Sequence, residues 1–107
     1  MKTDFIELFL TCGSWQEAQR IADALLDKKL IACAEMFEIK SRFRWQGSID
    51  DSDEIKLVMK SAAHLFDEVG AEVKKLHSYE TFVLEALPVS QISADARDWL
   101  TEETKPR

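Results

Sequence analysis

A long stretch of alternating apolar and polar residues, numbered 31–45, constrains the fold more strongly than any other part of this sequence. One side of the alternation carries Ile31, Cys33, Phe37, Ile39, Phe43 and Trp45, and the other carries Glu38, Lys40, Arg42 and Arg44. A period of two is typical of a β-strand, and roughly 15 residues is far longer than the usual strand. The sequence therefore predicts one unusually long strand.

The segment after this strand predicts a long β-hairpin. Residues 46–48 are typical of a turn, residues 50–54 form an acidic run typical of a solvated turn, and the alternation resumes over residues 55–59. Two strands joined in this way form a hairpin whose tip extends beyond the domain. Phe43 and Trp45 would then lie on an unpaired aromatic edge, which is an aggregation hazard unless another chain covers it. We therefore expect the chain to form an oligomer.

Local signals predict the remaining elements. They are a strand over residues 4–11, a helix with a capping box at Ser14 and Glu17, a second helix capped by Ser61, a strand over residues 81–87 and a short last helix capped by Ser93. The order is βαββαβ plus a terminal helix. It predicts an α+β, ferredoxin-like fold, in which an antiparallel sheet carries helices on one face. No linker interrupts the chain, so we expect a single domain over residues 1–107.

Composition restricts the partners and the compartment. Charged residues make up 32% of the chain, and no apolar run approaches the length of a membrane span. The net charge of −6 disfavours binding to nucleic acids or anionic membranes, and the third strand lacks the aromatic residues that stack on RNA bases. Residues 1–4 lead into the first strand without a recognisable signal peptide, and two cysteines do not form a disulfide framework. We expect a soluble cytoplasmic protein with free thiols.

Cys12 and His77 are the candidate metal-binding residues. Cys12 lies between a strand and a helix start, where its thiol could serve as a ligand or a nucleophile, or could simply pack as a small residue. His77 lies at a helix end close to several carboxylates, and could bind copper or zinc or merely complement the helix dipole. Cys33 is expected to be a buried structural thiol, and His64 a solvated surface residue.

The chain resembles the divalent-cation tolerance protein CutA family over nearly its whole length. The resemblance rests on the order and spacing of Thr11-Cys12, Lys29-Leu30-Ile31-Ala32-Cys33-Ala34, Trp45-Gln46-Gly47, Asp53-Glu54 with Lys60, His77-Ser78-Tyr79-Glu80 and Leu87-Pro88-Val89. The chain departs from the usual family pattern after His77, where Ser78, Phe82 and Val83 replace two prolines and a glutamate. It also lacks the usual Pro-Gly in the long strand.

The resemblance implies a homotrimer of ferredoxin-like subunits, similar in architecture to PII signalling proteins, that binds divalent metal ions such as copper. It places Cys12 and His77 among the metal ligands, and Glu85 is the candidate third ligand because it replaces the missing glutamate two residues further on. It also implies that Phe43, Trp45 and Tyr79 contact other subunits. The expected function is non-enzymatic metal tolerance or homeostasis.

Two alternatives stay open from the sequence. One is a PII-like signalling or scaffold trimer that binds a small molecule or a partner protein. The other is a small enzyme on the same fold, such as an acylphosphatase, which is disfavoured because the chain contains no Asn to orient a water molecule.

Overall fold

The computed structural model describes residues 4–106, and the described part of the chain forms a four-stranded antiparallel sheet with its two longer helices packed on one face. The strands are β1 (Phe5–Cys12), β2 (Cys33–Trp45), β3 (Ser48–Ala62) and β4 (Leu84–Pro88), and the helices are α1 (Trp15–Asp27), α2 (Phe66–Leu76) and α3 (Ala94–Glu103). The strand order is β2-β3-β1-β4. The predicted ferredoxin-like βαββαβ order with a terminal helix is confirmed. The predicted absence of a signal peptide rests partly on residues 1–3, which lie outside the described residues.

Alternation along β1 and β3 determines which face of the sheet is buried. Leu8 and Leu10 of β1 lie opposite Met59 and Leu57 of β3, and all four are buried in the core cluster. The apolar stripes of α1 and α2 complete this core with Ile21, Leu25, Val69 and Val73. Side chains at the intervening positions of the strands point to the opposite face, which α1 and α2 leave open. We call it the open face.

The long hairpin is confirmed, but its turn is much tighter than predicted. β2 and β3 pair continuously up to Trp45 and Ser48, and Gln46 and Gly47 alone connect them. Both have positive φ, 49° and 86°, as a type I′ hairpin turn requires. A side chain at Gly47 would meet open space, so its left-handed backbone is the reason for glycine at this position.

The prediction that the acidic run forms a solvated turn is wrong, because these residues belong to β3. Asp51 accepts a hydrogen bond from Arg42 at 2.9 Å, and Asp53 accepts one from Lys40 at 3.0 Å. Each pair lies directly opposite across the two strands. Cross-strand partners of opposite charge make an acidic sequence compatible with a strand.

Ser61 does not cap the second helix, which corrects a further prediction. It lies inside β3, is buried, and donates its hydroxyl hydrogen to the carbonyl oxygen of Leu30 at 2.6 Å. A short 3-10 turn (Ala63–Leu65) precedes α2 instead. β4 is also shorter than predicted and begins only at Leu84.

The apolar side of β2 lies on the open face. Met36, at an intervening position, pairs with Leu57 and packs against the core, so Phe37, Ile39, Phe43 and Trp45 point the other way. Phe43 and Trp45 keep 40% and 41% of their surface exposed. The alternation that predicted the long strand therefore marks a surface left uncovered by this chain's α1 and α2.

Candidate metal site

Three side chains with metal-binding groups meet at one end of the sheet. Cys12 ends β1, Glu17 lies in the first turn of α1, and His77 is the residue at which α2 stops. One ligand atom from each lies within 4.8 Å of the other two. All three side chains are almost completely buried. We call Cys12, Glu17 and His77 the donor triad.

Glu17 is held by backbone N–H groups on two sides. The hydroxyl of Ser14 accepts a hydrogen bond from the Glu17 N–H, and Oε1 of Glu17 accepts one from the N–H of Gly13, each at 3.1 Å. One half of the predicted capping box is thus present, whereas the Glu17 carboxylate accepts from the N–H of Gly13 rather than from that of Ser14. Oε2 of Glu17 accepts the carboxylate's second hydrogen bond, from the N–H of Ser78 at 2.9 Å, so the carboxylate joins the start of α1 to the segment after α2.

The Glu17 carboxylate is stabilised in its charged form despite its burial. Burial by itself raises the pKa of this carboxyl, but hydrogen bonds from Ser78 and Gly13, together with nearby His77, outweigh it. The pKa of Glu17 therefore lies below its ordinary value. A buried anion at this point offers an ionised oxygen ligand without prior loss of a proton.

Both ring nitrogens of His77 have hydrogen-bond partners, and these partners define the tautomer. Nε2 lies 2.9 Å from the carbonyl oxygen of Thr11, which can only accept, so Nε2 carries the hydrogen. Nδ1 accepts a hydrogen bond from the N–H of Tyr79 at 3.1 Å. Nδ1 also lies 3.7 Å from Oε1 of Glu17. The remaining lone pair of His77 is therefore on Nδ1, where it accepts the Tyr79 N–H beside the Glu17 carboxylate.

Cys12 carries a protonated thiol at neutral pH. Burial raises its pKa to about 12, and the negative charges of Glu17 and Glu54 add to the effect. A thiol must lose its proton to act as a nucleophile or a metal ligand. The structure therefore disfavours a nucleophilic Cys12, whereas a bound cation would offset both carboxylates and favour the thiolate.

Tyr79 covers the donor triad from the segment that follows α2. Its phenol donates a hydrogen bond to Oε2 of Glu54 at 2.5 Å, and burial together with this bond raises the pKa of Tyr79. A Cβ atom at Gly13 would lie only 3.1 Å from Cε1 of Tyr79, so the ring can lie against the backbone next to Cys12 because residue 13 is glycine. The sequence predicted a subunit contact for Tyr79, which stays a prediction. The sequence did not indicate the hydrogen bond between Tyr79 and Glu54.

The structure brings Cys12 and His77 together but not Glu85. Glu85 lies in β4 directly opposite Phe9 of β1, and it is exposed on the open face, whereas Cys12 points to the helix face. Within one chain, the carboxylate beside Cys12 and His77 belongs to Glu17, whereas the sequence had indicated Glu85. The sequence had singled out Glu17 only as a capping residue, although a carboxylate five positions after Cys12 was the available signal.

The other two candidate residues lie apart from the donor triad. His64 is exposed on the 3-10 turn, as predicted. Cys33 is half-buried at the start of β2, not fully buried, and burial raises the pKa of its thiol. Both cysteines are free.

The donor triad fits a divalent metal ion by ligand type. A thiolate, an imidazole and a carboxylate together suit zinc or copper. Ligand atoms around a tetrahedral ion with bonds of about 2.0–2.3 Å lie roughly 3.3–3.8 Å apart. Nδ1 of His77 and Oε1 of Glu17 are already 3.7 Å apart, and the wider separations, of up to 4.8 Å, must shorten by about 1 Å. The Nδ1 lone pair of His77 must also exchange the Tyr79 N–H for the ion.

Replacing Glu17 by Gln is expected to remove a pH-dependent part of the stability. Because the carboxyl pKa is lowered in the folded chain, the charged form stabilises the fold above the ordinary pKa, and this contribution is lost as the pH falls through the folded-state pKa. We expect Glu17→Gln to lower the free energy of unfolding by about 1–3 kcal/mol at neutral pH. The difference from wild type should narrow as the pH falls below the ordinary carboxyl pKa.

Denaturant unfolding with a metal chelator present measures this difference at matched protein concentration. Glu68→Gln, on the exposed surface of α2, is the matched control and should leave the free energy of unfolding nearly unchanged. A Glu17→Gln effect of equal size at neutral and acidic pH would contradict a charge-dependent role.

Comparison with known proteins gives the family. The profile described as CutA1 divalent ion tolerance protein matches residues 6–103. The divalent-cation tolerance proteins CutA of Archaeoglobus fulgidus and Pyrococcus horikoshii are 41% and 31% identical to this chain; they align with 89% and 94% of it, and with 93% and 98% of their own lengths. Human protein CutA is 31% identical over 91% of this chain and 55% of its own length.

Solved structures agree with the sequence relatives. The structure of the periplasmic divalent cation tolerance protein CutA from Archaeoglobus fulgidus has a TM-score of 0.93 at 39% identity, covering 94% of this chain and 99% of the other. CutA1 from Oryza sativa also has a TM-score of 0.93, at 26% identity, covering 96% of this chain and 95% of the other. On the sequence profile, the relatives and the fold together, this chain belongs to the CutA1 family of divalent ion tolerance proteins.

Proposed function

We propose that this protein binds a divalent metal ion, such as copper, through Cys12, Glu17 and His77, and that it contributes to divalent-metal tolerance. The observation that supports the proposal most strongly is the approach of three chemically different donor atoms to within 4.8 Å in a buried position. Buried clusters of this kind are typical of sites for borderline metals. Family membership supports the same class of ligand.

Each member of the donor triad has a distinct part in the proposed binding. Glu17 supplies a negative charge that is already present, and His77 supplies the Nδ1 lone pair. Cys12 exchanges its proton for the ion, because its pKa of about 12 leaves the thiol protonated at neutral pH. Binding therefore releases a proton, and the apparent affinity falls as the pH is lowered.

We further propose that the protein works as a homotrimer. The support is the open face, where the apolar side of β2 has no cover from this chain's own α1 and α2, and where Phe43 and Trp45 stay exposed. Leu87 of β4 also lies on this face and is 56% exposed. Exposed apolar surface of this kind is typical of subunit interfaces.

The role we propose is non-enzymatic and cytoplasmic. The raised pKa of Cys12 leaves little thiolate for nucleophilic attack, and His77 is tied to backbone partners through both nitrogens. Free Cys12 and Cys33 are compatible with a reducing compartment. Within residues 4–106, no helix combines the length and the apolar character needed to cross a membrane. A PII-like signalling role stays an alternative prediction.

Replacing His77 by Ala is expected to abolish metal binding. Calorimetric titration and native mass spectrometry with Zn(II) and Cu(II), each added separately, should show one ion per chain for wild type. Loss of an outer-shell partner weakens metal binding roughly 10–100-fold, so loss of a direct ligand should cost more than this.

His64→Ala provides the matched control, because His64 is the only other histidine of the chain and is exposed. It should bind metal as wild type does. Equal binding by wild type and His77→Ala, or the absence of binding by wild type, would refute the proposed site.

Replacing Trp45 by Ser is expected to weaken the trimer. Trp45 is a large apolar side chain at the hairpin tip, and truncation of an aromatic residue that anchors an interface costs about 2 kcal/mol, or about 30-fold in a dissociation constant. Sedimentation velocity at several protein concentrations measures the change.

Trp99→Ser on α3 is the control, because Trp99 is similarly exposed, at 44%, but lies on a helix. It should leave the oligomeric state unchanged. A wild-type monomer at all concentrations, or equal effects of the two substitutions, would contradict the proposed role of the hairpin.

A further inference from the structure

An ion in the donor triad has access to only one nitrogen of His77. Nε2 holds its hydrogen against the carbonyl oxygen of Thr11 at 2.9 Å, so it has no lone pair to offer. Nδ1 carries the lone pair and lies 3.7 Å from Oε1 of Glu17. The ring is also stacked on Phe82, with centroids 5.3 Å apart and an interplanar angle of 16°. Rotating the ring by 180° would break the hydrogen bonds of His77 with the Thr11 carbonyl and with the Tyr79 N–H.

The same lone pair is in use by Tyr79. The N–H of Tyr79 donates to Nδ1 of His77 at 3.1 Å. One lone pair cannot bind an ion and accept this hydrogen bond at the same time. Binding at Nδ1 must therefore displace the Tyr79 N–H.

Tyr79 is not free to move without cost, because its other end is anchored to the hairpin. Its phenol donates to Oε2 of Glu54 at 2.5 Å. Glu54 is itself buried and lies in β3, directly opposite Ile39 of β2. A hydrogen bond to a buried carboxylate is among the stronger ones in proteins. Displacement of the Tyr79 backbone is thus opposed by a contact on a different structural element.

We propose that Tyr79 couples ion binding in the donor triad to Glu54 in strand β3 of the long hairpin. The inference rests on the proposed metal site, since it requires an ion at Nδ1 of His77. Tyr79 acts as a positioning residue: its N–H competes with the ion for His77, and its phenol holds the N–H in place. Ion binding weakens the contact of Tyr79 with Glu54, and the Tyr79–Glu54 hydrogen bond lowers the affinity for the ion.

The amide signal of Tyr79 can be observed by itself in NMR spectra, and it reports on this coupling. Tyr79 is the only tyrosine, so ¹⁵N-tyrosine labelling gives one amide signal, from the N–H that the ion must displace. On saturation with Zn(II), a diamagnetic probe, we expect this signal to shift and its hydrogen exchange to accelerate by about tenfold, as loss of one hydrogen bond predicts. His64→Ala should respond as wild type does, and His77→Ala should not respond.

Replacing Tyr79 by Phe tests the anchor while preserving the backbone N–H. The variant keeps the ring against Gly13 but removes the hydrogen bond to Glu54. Since the N–H is then displaced more easily, we expect Tyr79→Phe to bind Zn(II) roughly 3–10-fold more tightly than wild type in calorimetric titration. Asp53→Asn, next to Glu54 in β3 and out of contact with Tyr79, is the control for a general effect of hairpin substitution.

The outcomes separate this proposal from the proposed metal site. Zn(II) binding that depends on His77 but leaves the Tyr79 amide signal and its exchange unchanged would overturn the coupling and leave the site intact. Unchanged or weaker binding by Tyr79→Phe would overturn the anchoring role of Glu54. No Zn(II) binding by wild type would overturn the metal site and, with it, the coupling.

Discussion

The buried carboxylate of Glu17 is the interaction on which this end of the molecule depends. A charge away from water is tolerated only when it has hydrogen-bond partners, and here the partners are backbone N–H groups of Gly13 and Ser78. One belongs to the connection from β1 to α1, and the other to the segment after α2. The carboxylate therefore determines how these two segments approach each other, and it places His77 beside Cys12. The candidate site follows from a structural requirement of the fold.

The same fold divides the sheet into two unlike faces. Helices α1 and α2 cover one face and bury Leu8, Leu57 and their neighbours. The opposite face carries the apolar side of β2, including the exposed aromatic residues of the hairpin. The donor triad lies on the covered side and the proposed subunit contacts on the other. Tyr79, bonded to His77 and to Glu54, is placed to connect them.

Local signals in the sequence predicted local structure well. The period of two predicted the long strand, and the Ser14–Glu17 spacing predicted the start of α1, because both patterns depend on neighbours a few residues away. The errors concern partners distant in sequence. The acidic run became strand because Arg42 and Lys40 lie opposite it, and Ser61 is a strand residue because β3 pairs with β1 through this position, opposite Ile6. Glu85 lies apart from Cys12 and His77 within one chain because strand pairing, which the sequence does not state, puts it on the open face.

The proposed site requires that one metal ion binds Cys12, Glu17 and His77 together. X-ray absorption spectroscopy of the Zn(II)-loaded protein tests it most directly, because it measures the ligand atoms and their distances at the ion. We expect one sulfur at about 2.3 Å together with nitrogen and oxygen ligands at about 2.0–2.2 Å. The sulfur should disappear in Cys12→Ser. A first shell of oxygen and nitrogen alone in the wild-type protein would contradict the claim.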